Sequence, residues 1–122
     1  MLRRPKQPPT SATVLILRIV GLPVRTEDEP EFLRAFDDAY PRIRGLLACE
    51  YLALISSRNG EADYMTVSIW TSAKALEEYR KGPLFAGIWP QIRKTLRDDP
   101  WARSYDFTAG DGPWVAALRD LT

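Results

Sequence analysis

The sequence predicts an α+β domain: a four-stranded antiparallel sheet with helices on one face, built in the order βαββαβ. Three observations predict it. Residues 13–20, TVLILRIV, form a β-branched and leucine run of strand length. Residues 62–71, ADYMTVSIWT, alternate strictly behind an Asn-Gly turn. Helical periodicity flanks that hairpin on both sides, through Phe32, Phe36 and Tyr40 before it and Phe85, Ile88, Trp89, Ile92 and Leu96 after it.

Each element follows in order. Residues 1–11, MLRRPKQPPTS, are proline-rich and basic, and read as a flexible arm outside a domain spanning 12–108. The first strand ends at Gly21 and Pro23. Arg18 interrupts it, so its charge faces a pocket, an interface or an acidic neighbour such as Glu50. Thr26 and Glu29 have capping-box spacing, while Pro30 makes Asp28 an equally good cap. The helix that follows carries Phe32, Phe36 and Tyr40 as a core stripe flanked by Leu33 and Ala39, and Pro41 and Gly45 end or kink it.

Residues 46–57 read as the second strand, and Arg58-Asn59-Gly60-Glu61 as the turn into the third. On that third strand Met65, Val67 and Ile69 read as the buried face. Tyr64, Thr66, Ser68 and Trp70 mix hydroxyls with large aromatics, as a polar cavity or a wet interface would. Ser72 caps a short helix to Arg80, Gly82-Pro83 breaks it, and a second helix spans 84–97 around Pro90. Residues 101–108 form the last strand, and the tail 109–122 holds at most a short amphipathic helix. The whole is the split βαβ, or ferredoxin-like, arrangement. Strands one to three carry apolar residues on both faces, so the face without helices calls for a partner, and a homodimer through the sheet supplies one.

Composition narrows function. The 122 residues suit one domain, and a net charge of +1 gives no field to draw nucleic acid or an anionic membrane, so neither is an expected partner. No run approaches the roughly 20 apolar residues of a membrane span. Pro8 and Pro9 stand where a signal peptide needs its apolar segment, which leaves a cytoplasmic location as the default expectation. The single Cys49 forms no internal disulfide and reads as a buried, inert thiol. Zero histidines remove histidine triads, histidine bases and an axial histidine for haem. The pairs Asp37–Asp38 and Asp98–Asp99 read as solvated helix surface or helix ends, because adjacent helical residues point apart.

From VSIWTSAKALEEY through KGPLFAGIWPQIRKTL to a final aromatic strand ending in YDF, the chain resembles the antibiotic biosynthesis monooxygenase domain family. The resemblance spans roughly residues 12–108 and implies a dimeric α+β barrel. In that family the tryptophan ends the third strand and a helix begins directly after it. Its quinone-forming branch uses no cofactor: the phenolic polyketide substrate donates its own electrons to oxygen. That branch places an asparagine four residues before the tryptophan and a tyrosine six after it. Here Trp70 is kept, Thr66 stands in the asparagine position and Leu76 in the tyrosine position. The haem-degrading branch needs an axial histidine where this chain has Trp89 and a helix tryptophan where it has Tyr79, and tryptophan does not ligate iron.

The resemblance implies a cofactor-independent monooxygenase acting on an aromatic or polyketide-like molecule, with neither cofactor nor metal expected. Trp70 is then the donor in the pocket, and Tyr64, Tyr79 and Thr66 bind substrate oxygens. Arg93 holds a phenolate, and Phe85 and Trp89 form the aromatic wall. Phe85 and Trp89 also fit plain core periodicity. A non-catalytic dimeric barrel that binds a hydrophobic small molecule or assists a biosynthetic pathway therefore stands as the alternative. A cyclase or isomerase would need a positioned acid or base, and no Asp or Glu stands among the pocket positions.

Overall fold

A computed structural model describes residues 14–59 and 62–108. The expected N-terminal arm and C-terminal tail lie outside the described residues, as do Gly60 and Glu61 of the turn. The strands are β1 (Ile16–Pro23), β2 (Cys49–Ser56), β3 (Asp63–Trp70) and β4 (Trp101–Asp106), and the helices are α1 (Glu29–Arg44), α2 (Ala73–Lys81) and α3 (Pro83–Arg93). They form one sheet in the order β2-β3-β1-β4, with every neighbouring pair antiparallel. β1 and β3 take the centre, which suits their apolar content, and β2 and β4 are the edges.

Residue spacing dictates α1. Pro30 occupies its first turn, Glu29 and Glu31 face the positive end of the dipole, and Arg42 and Arg44 face the negative end. The helix runs through Pro41 and stops at Gly45, whose N–H bonds the Pro41 carbonyl at 2.9 Å. The buried stripe is Phe32, Ala39 and Ile43, with Phe36 beside it, rather than Phe32, Phe36 and Tyr40. Eight residues of helix rotate Tyr40 about 80° away from Phe32, while seven and eleven return to within about 20°. Tyr40 and Leu33 are accordingly exposed.

In α2, Ser72 caps the helix by accepting from the Ala75 N–H at 3.1 Å. Gly82 and Pro83 separate α2 from α3. α3 retains Pro90 but ends at Arg93, short of the expected 97. Thr95 turns its hydroxyl back to the Ile92 carbonyl at 2.6 Å, and Leu96 leaves the helix to bridge Val24. Arg97 then joins three segments: Nη1 donates to the carbonyls of Val24 (2.6 Å) and Ala62 (3.3 Å), and Nη2 meets the Asp63 carboxylate.

The helices cover one sheet face, and the core between them is built on Val24, Phe32, Trp70 and Leu96. The assignment of faces on β3 is reversed from expectation. Tyr64, Ser68 and Trp70 turn toward the helices and are buried, while Met65 and Val67 are only half-buried on the opposite side. Alternation separates two faces but carries no sign, so the more apolar set falls on the face without helices. Ile69, set between Leu17 and Tyr51 in register, is buried there.

That second face also holds Ile19, Ala53, Ile55, Tyr105 and Trp101 by register. Ile55, Trp101 and Tyr105 are exposed, at 44%, 47% and 47%. Trp101 lies flat over Gly21, where an added Cβ would sit 2.1 Å from its ring atoms. Glycine at 21 is thus a matter of close approach by the indole.

Candidate functional site

A cavity of about 390 Å³ lies between the sheet and the helices. Each strand contributes through the face its register dictates: Arg18, Val20 and Leu22 from β1, Leu52 from β2, Thr66, Ser68 and Trp70 from β3, and Ala102 from β4. Helices α2 and α3 close it with Leu76, Tyr79, Phe85, Ile88 and Trp89. β4 is exposed along its length, so the cavity opens over that edge. The cleft is open and Trp89 forms part of its wall instead of filling it.

Aromatic side chains line one side as a connected series. The Trp70 and Tyr79 rings stack with centroids 4.8 Å apart, Tyr79 meets the edge of Phe85 at 5.4 Å, and Phe85 stacks on Trp89 at 5.8 Å. The helical spacing of 79, 85 and 89 across the Gly82-Pro83 break brings these rings into line. Trp70 is held from below, where Cys49 on β2 faces it in register. Its indole N–H donates to Ser68 Oγ at 2.9 Å. Ser68 therefore acts as acceptor toward the indole, and its own proton is directed elsewhere.

The polar groups are few. The Tyr79 hydroxyl makes no hydrogen bond to the described residues, and burial pushes its pKa up to about 12, with Cys49 adding to the rise and Arg18 opposing it. At neutral pH it is a phenol that donates. Arg18 reaches into the same space and donates from Nη1 to Ser104 Oγ at 2.9 Å. Burial lowers its pKa from the ordinary value, neighbouring Arg80 lowers it further, and Glu77 and Tyr79 act the other way. Glu50 is exposed on the β2 bulge and makes no ion pair with Arg18, so the cavity is the destination of that charge.

Five of the residues singled out from sequence thus meet at one cavity: Thr66, Trp70, Tyr79, Phe85 and Trp89. Tyr64 and Arg93 stand outside its lining. Tyr64 shares the face of Thr66 but lies at the far end of β3, packed on Phe32 with ring centroids 4.8 Å apart, and its hydroxyl donates to Glu29. Arg93 points outward at the end of α3 and pairs with Asp99 at 3.2 Å. Ser68 and Arg80 line the cavity without having been marked as site residues. Arg80 gives no sequence signal, since a basic residue in the last helical turn reads as a solvated one.

A second hollow of about 340 Å³ between α1 and α3 is lined by Glu31, Arg34, Asp38 and Arg42, whose charges alternate along a solvated helix surface. Asp38 is taken by Arg42 at 2.9 Å, and no cluster suited to a metal ion occurs among the described residues.

No protein-family model and no curated protein matches the chain. Solved structures do. A protein from Caulobacter crescentus provisionally named an antibiotic biosynthesis monooxygenase superposes with a TM-score of 0.73 at 20% identity, over 79% of this chain and 92% of that one. An antibiotic biosynthesis monooxygenase gives 0.70 at 16% identity, over 75% and 96%. A conserved protein from Methanosarcina mazei gives 0.72 at 14% identity, over 76% and 92%. The chain therefore has the α+β fold seen in structures of the antibiotic biosynthesis monooxygenases, and at these identities the likeness is one of fold.

Proposed function

We propose that the protein is a cofactor-independent monooxygenase that oxidises a small aromatic or polyketide-like molecule with O2. The observation that carries this reading is the open cavity whose wall is the Trp70–Tyr79–Phe85–Trp89 series. A flat substrate slides against those rings, and the Tyr79, Ser68 and Thr66 hydroxyls bond its oxygens. A ring CH2 flanked by phenolic rings gives up a proton to solvent at the open edge of the cavity, where among the described residues no carboxylate or histidine stands to take it, and the resulting carbanion reduces oxygen. Overall the CH2 becomes C=O, and the second oxygen atom leaves as water with both hydrogens, so the substrate supplies all four electrons. The chain's contribution is positioning, exclusion of water and hydrogen bonds to the developing oxyanion. Tyr64 and Arg93 have no part in it.

The test is oxygen uptake by purified protein with an anthrone or a dihydroxynaphthalene, no metal or flavin being added. Uptake above the uncatalysed rate that disappears in Trp70→Phe supports the enzyme. Uptake at the uncatalysed rate, with tight quenching of tryptophan fluorescence by the same compound, leaves a non-catalytic binder. Two observations favour that second reading: the Trp70 N–H is already engaged by Ser68, and no carboxylate lines the cavity.

The same proposal includes a homodimer through the open sheet face. Leu17, Ile19, Ile55, Met65, Val67, Trp101 and Tyr105 form a largely apolar surface there by register, crossed on β4 by Arg103, whose guanidinium lies 6.0 Å from the Trp101 ring centroid. A second copy is the self-complementary cover for such a face.

A further inference from the structure

We infer that Arg18, with Arg80 beside it, is an anion-recognition point inside the cavity, and that the molecule it takes is a flat aromatic carboxylate. The proposal deepens the reading of the cavity as a substrate site by naming its ligand class, and rests on that reading for the site alone.

The chemistry starts from position. Arg18 occupies the middle of β1, between Ser68 on β3 and Ser104 on β4 in register, and its side chain points at the helices. A charge in a central strand requires a counter-charge or an opening to water. No carboxylate lies within ion-pair distance of it among the described residues, where every other guanidinium–carboxylate contact is taken by Arg25, Arg42, Arg80, Arg93 or Arg97. Its one side-chain hydrogen bond there is to a neutral hydroxyl, Ser104 Oγ. A guanidinium has five N–H donors, so most of the fork is unengaged.

Its surroundings add to the case. Arg80 also lines the cavity, half-exposed, and Glu77, which pairs with it at 3.3 Å, stands outside the lining and only partly offsets the charge felt at Arg18. Two cations thus share one apolar hollow with no anion lining it. An arriving anion relieves their mutual repulsion and the cost of Arg18's burial together.

The form of the anion follows from the geometry of the fork and the pH. A planar guanidinium matches a carboxylate with two parallel hydrogen bonds. A phenol, with a pKa of about 10, is neutral at pH 7 and offers no charge before reaction. The aromatic wall takes the rest of the molecule, and about 390 Å³ accommodates a body of about two fused rings with its head group at Arg18.

The test uses the full chain and two probes of the same shape, naphthoate and its neutral amide, followed by tryptophan quenching and calorimetry. Neither probe consumes oxygen, so a protein that fails as a monooxygenase still gives a clear answer. Naphthoate is expected to bind about tenfold or more tighter than naphthamide. Arg18→Gln removes that preference and leaves the amide affinity in place, while Arg18→Lys restores part of it. Equal affinities in the unaltered protein overturn the proposal, as does a preference that survives Arg18→Gln. Should Arg18→Gln fail to fold, Arg80→Gln decides: it reduces the preference for naphthoate if the two arginines bind the anion, and an unchanged preference overturns the proposal.

Discussion

The indole N–H of Trp70 donates to the hydroxyl of Ser68 two residues earlier on the same strand, 2.9 Å away and fully inside the core. This contact fixes the ring that stacks on Tyr79 and therefore the shape of the cavity wall. Ser68→Ala leaves a buried donor without its acceptor. We expect a loss of about 1–3 kcal/mol in urea unfolding, with a shifted tryptophan emission maximum. An unchanged midpoint would mean that the indole finds another acceptor.

Tyr64 and Tyr79 both carry pKa values raised to about 12, for different reasons. Tyr64 is raised first by its hydrogen bond to Glu29, then by burial; Tyr79 is raised first by burial. Both values exceed the ordinary tyrosine value of about 10, so the folded state holds these protons more tightly than the unfolded chain does. Stability from this source is complete below pH 10 and is lost as the pH climbs through about 12. Ultraviolet titration should show two late-ionising tyrosines, with Tyr79→Phe removing one. A single transition near 10 would contradict the buried placement of Tyr79.

Trp101 rests on Gly21, so Gly21→Ala must push the indole off the sheet. If that face pairs with a second copy, association weakens by about tenfold or more, read from the concentration dependence of light scattering. The helical face is untouched, and far-ultraviolet dichroism should not change. An equally tight dimer in the variant would move the interface elsewhere.

Cys49 is 1% exposed, and burial pushes its thiol pKa up, against the opposing pull of Arg44 and of a hydrogen bond from the Tyr51 backbone. A thiol so placed is a slow nucleophile. A disulfide-exchange reagent should modify it only at the rate of unfolding, and stoichiometric labelling within seconds in native buffer would refute this.

Much of the fold was legible because local rules and the global arrangement agree. Ser72 as cap, Pro30 and Pro83 in first turns, and Gly45 as a stop each announce a boundary that the structure keeps. Trp70 is the last residue of β3 and α2 begins three residues later, as the resemblance implies. What failed to show has physical causes. Strand alternation assigns partners to a face but cannot say which face meets the helices, so Met65 and Val67 were expected on the wrong side. Tyr64 and Thr66 share a face, and only the packing of Phe32 decides that the hollow lies toward Trp70. Arg93 and Arg80 each occupy the last turn of a helix with half-exposed side chains, and sequence spacing does not tell that one pairs with Asp99 away from the cavity while the other reaches its lining. Arg18 was marked for a pocket, an interface or an acidic partner. Choosing among these required knowing that Glu50 sits in a bulge beyond its reach.

Arg97 has a consequence in time as well as in space. The carbonyls it joins, those of Val24 and Ala62, lie 73 and 35 residues away along the chain. The junction can close only after the end of β1, the β2–β3 hairpin and the turn beyond α3 have all docked, so it belongs to the last stage of folding. An interaction absent from the transition state leaves the folding rate alone and slows escape from the native state. Arg97→Ala should raise the unfolding arm of the chevron and leave the refolding arm where it is. Arg97 is a latch whose strength sets how long the native molecule lasts.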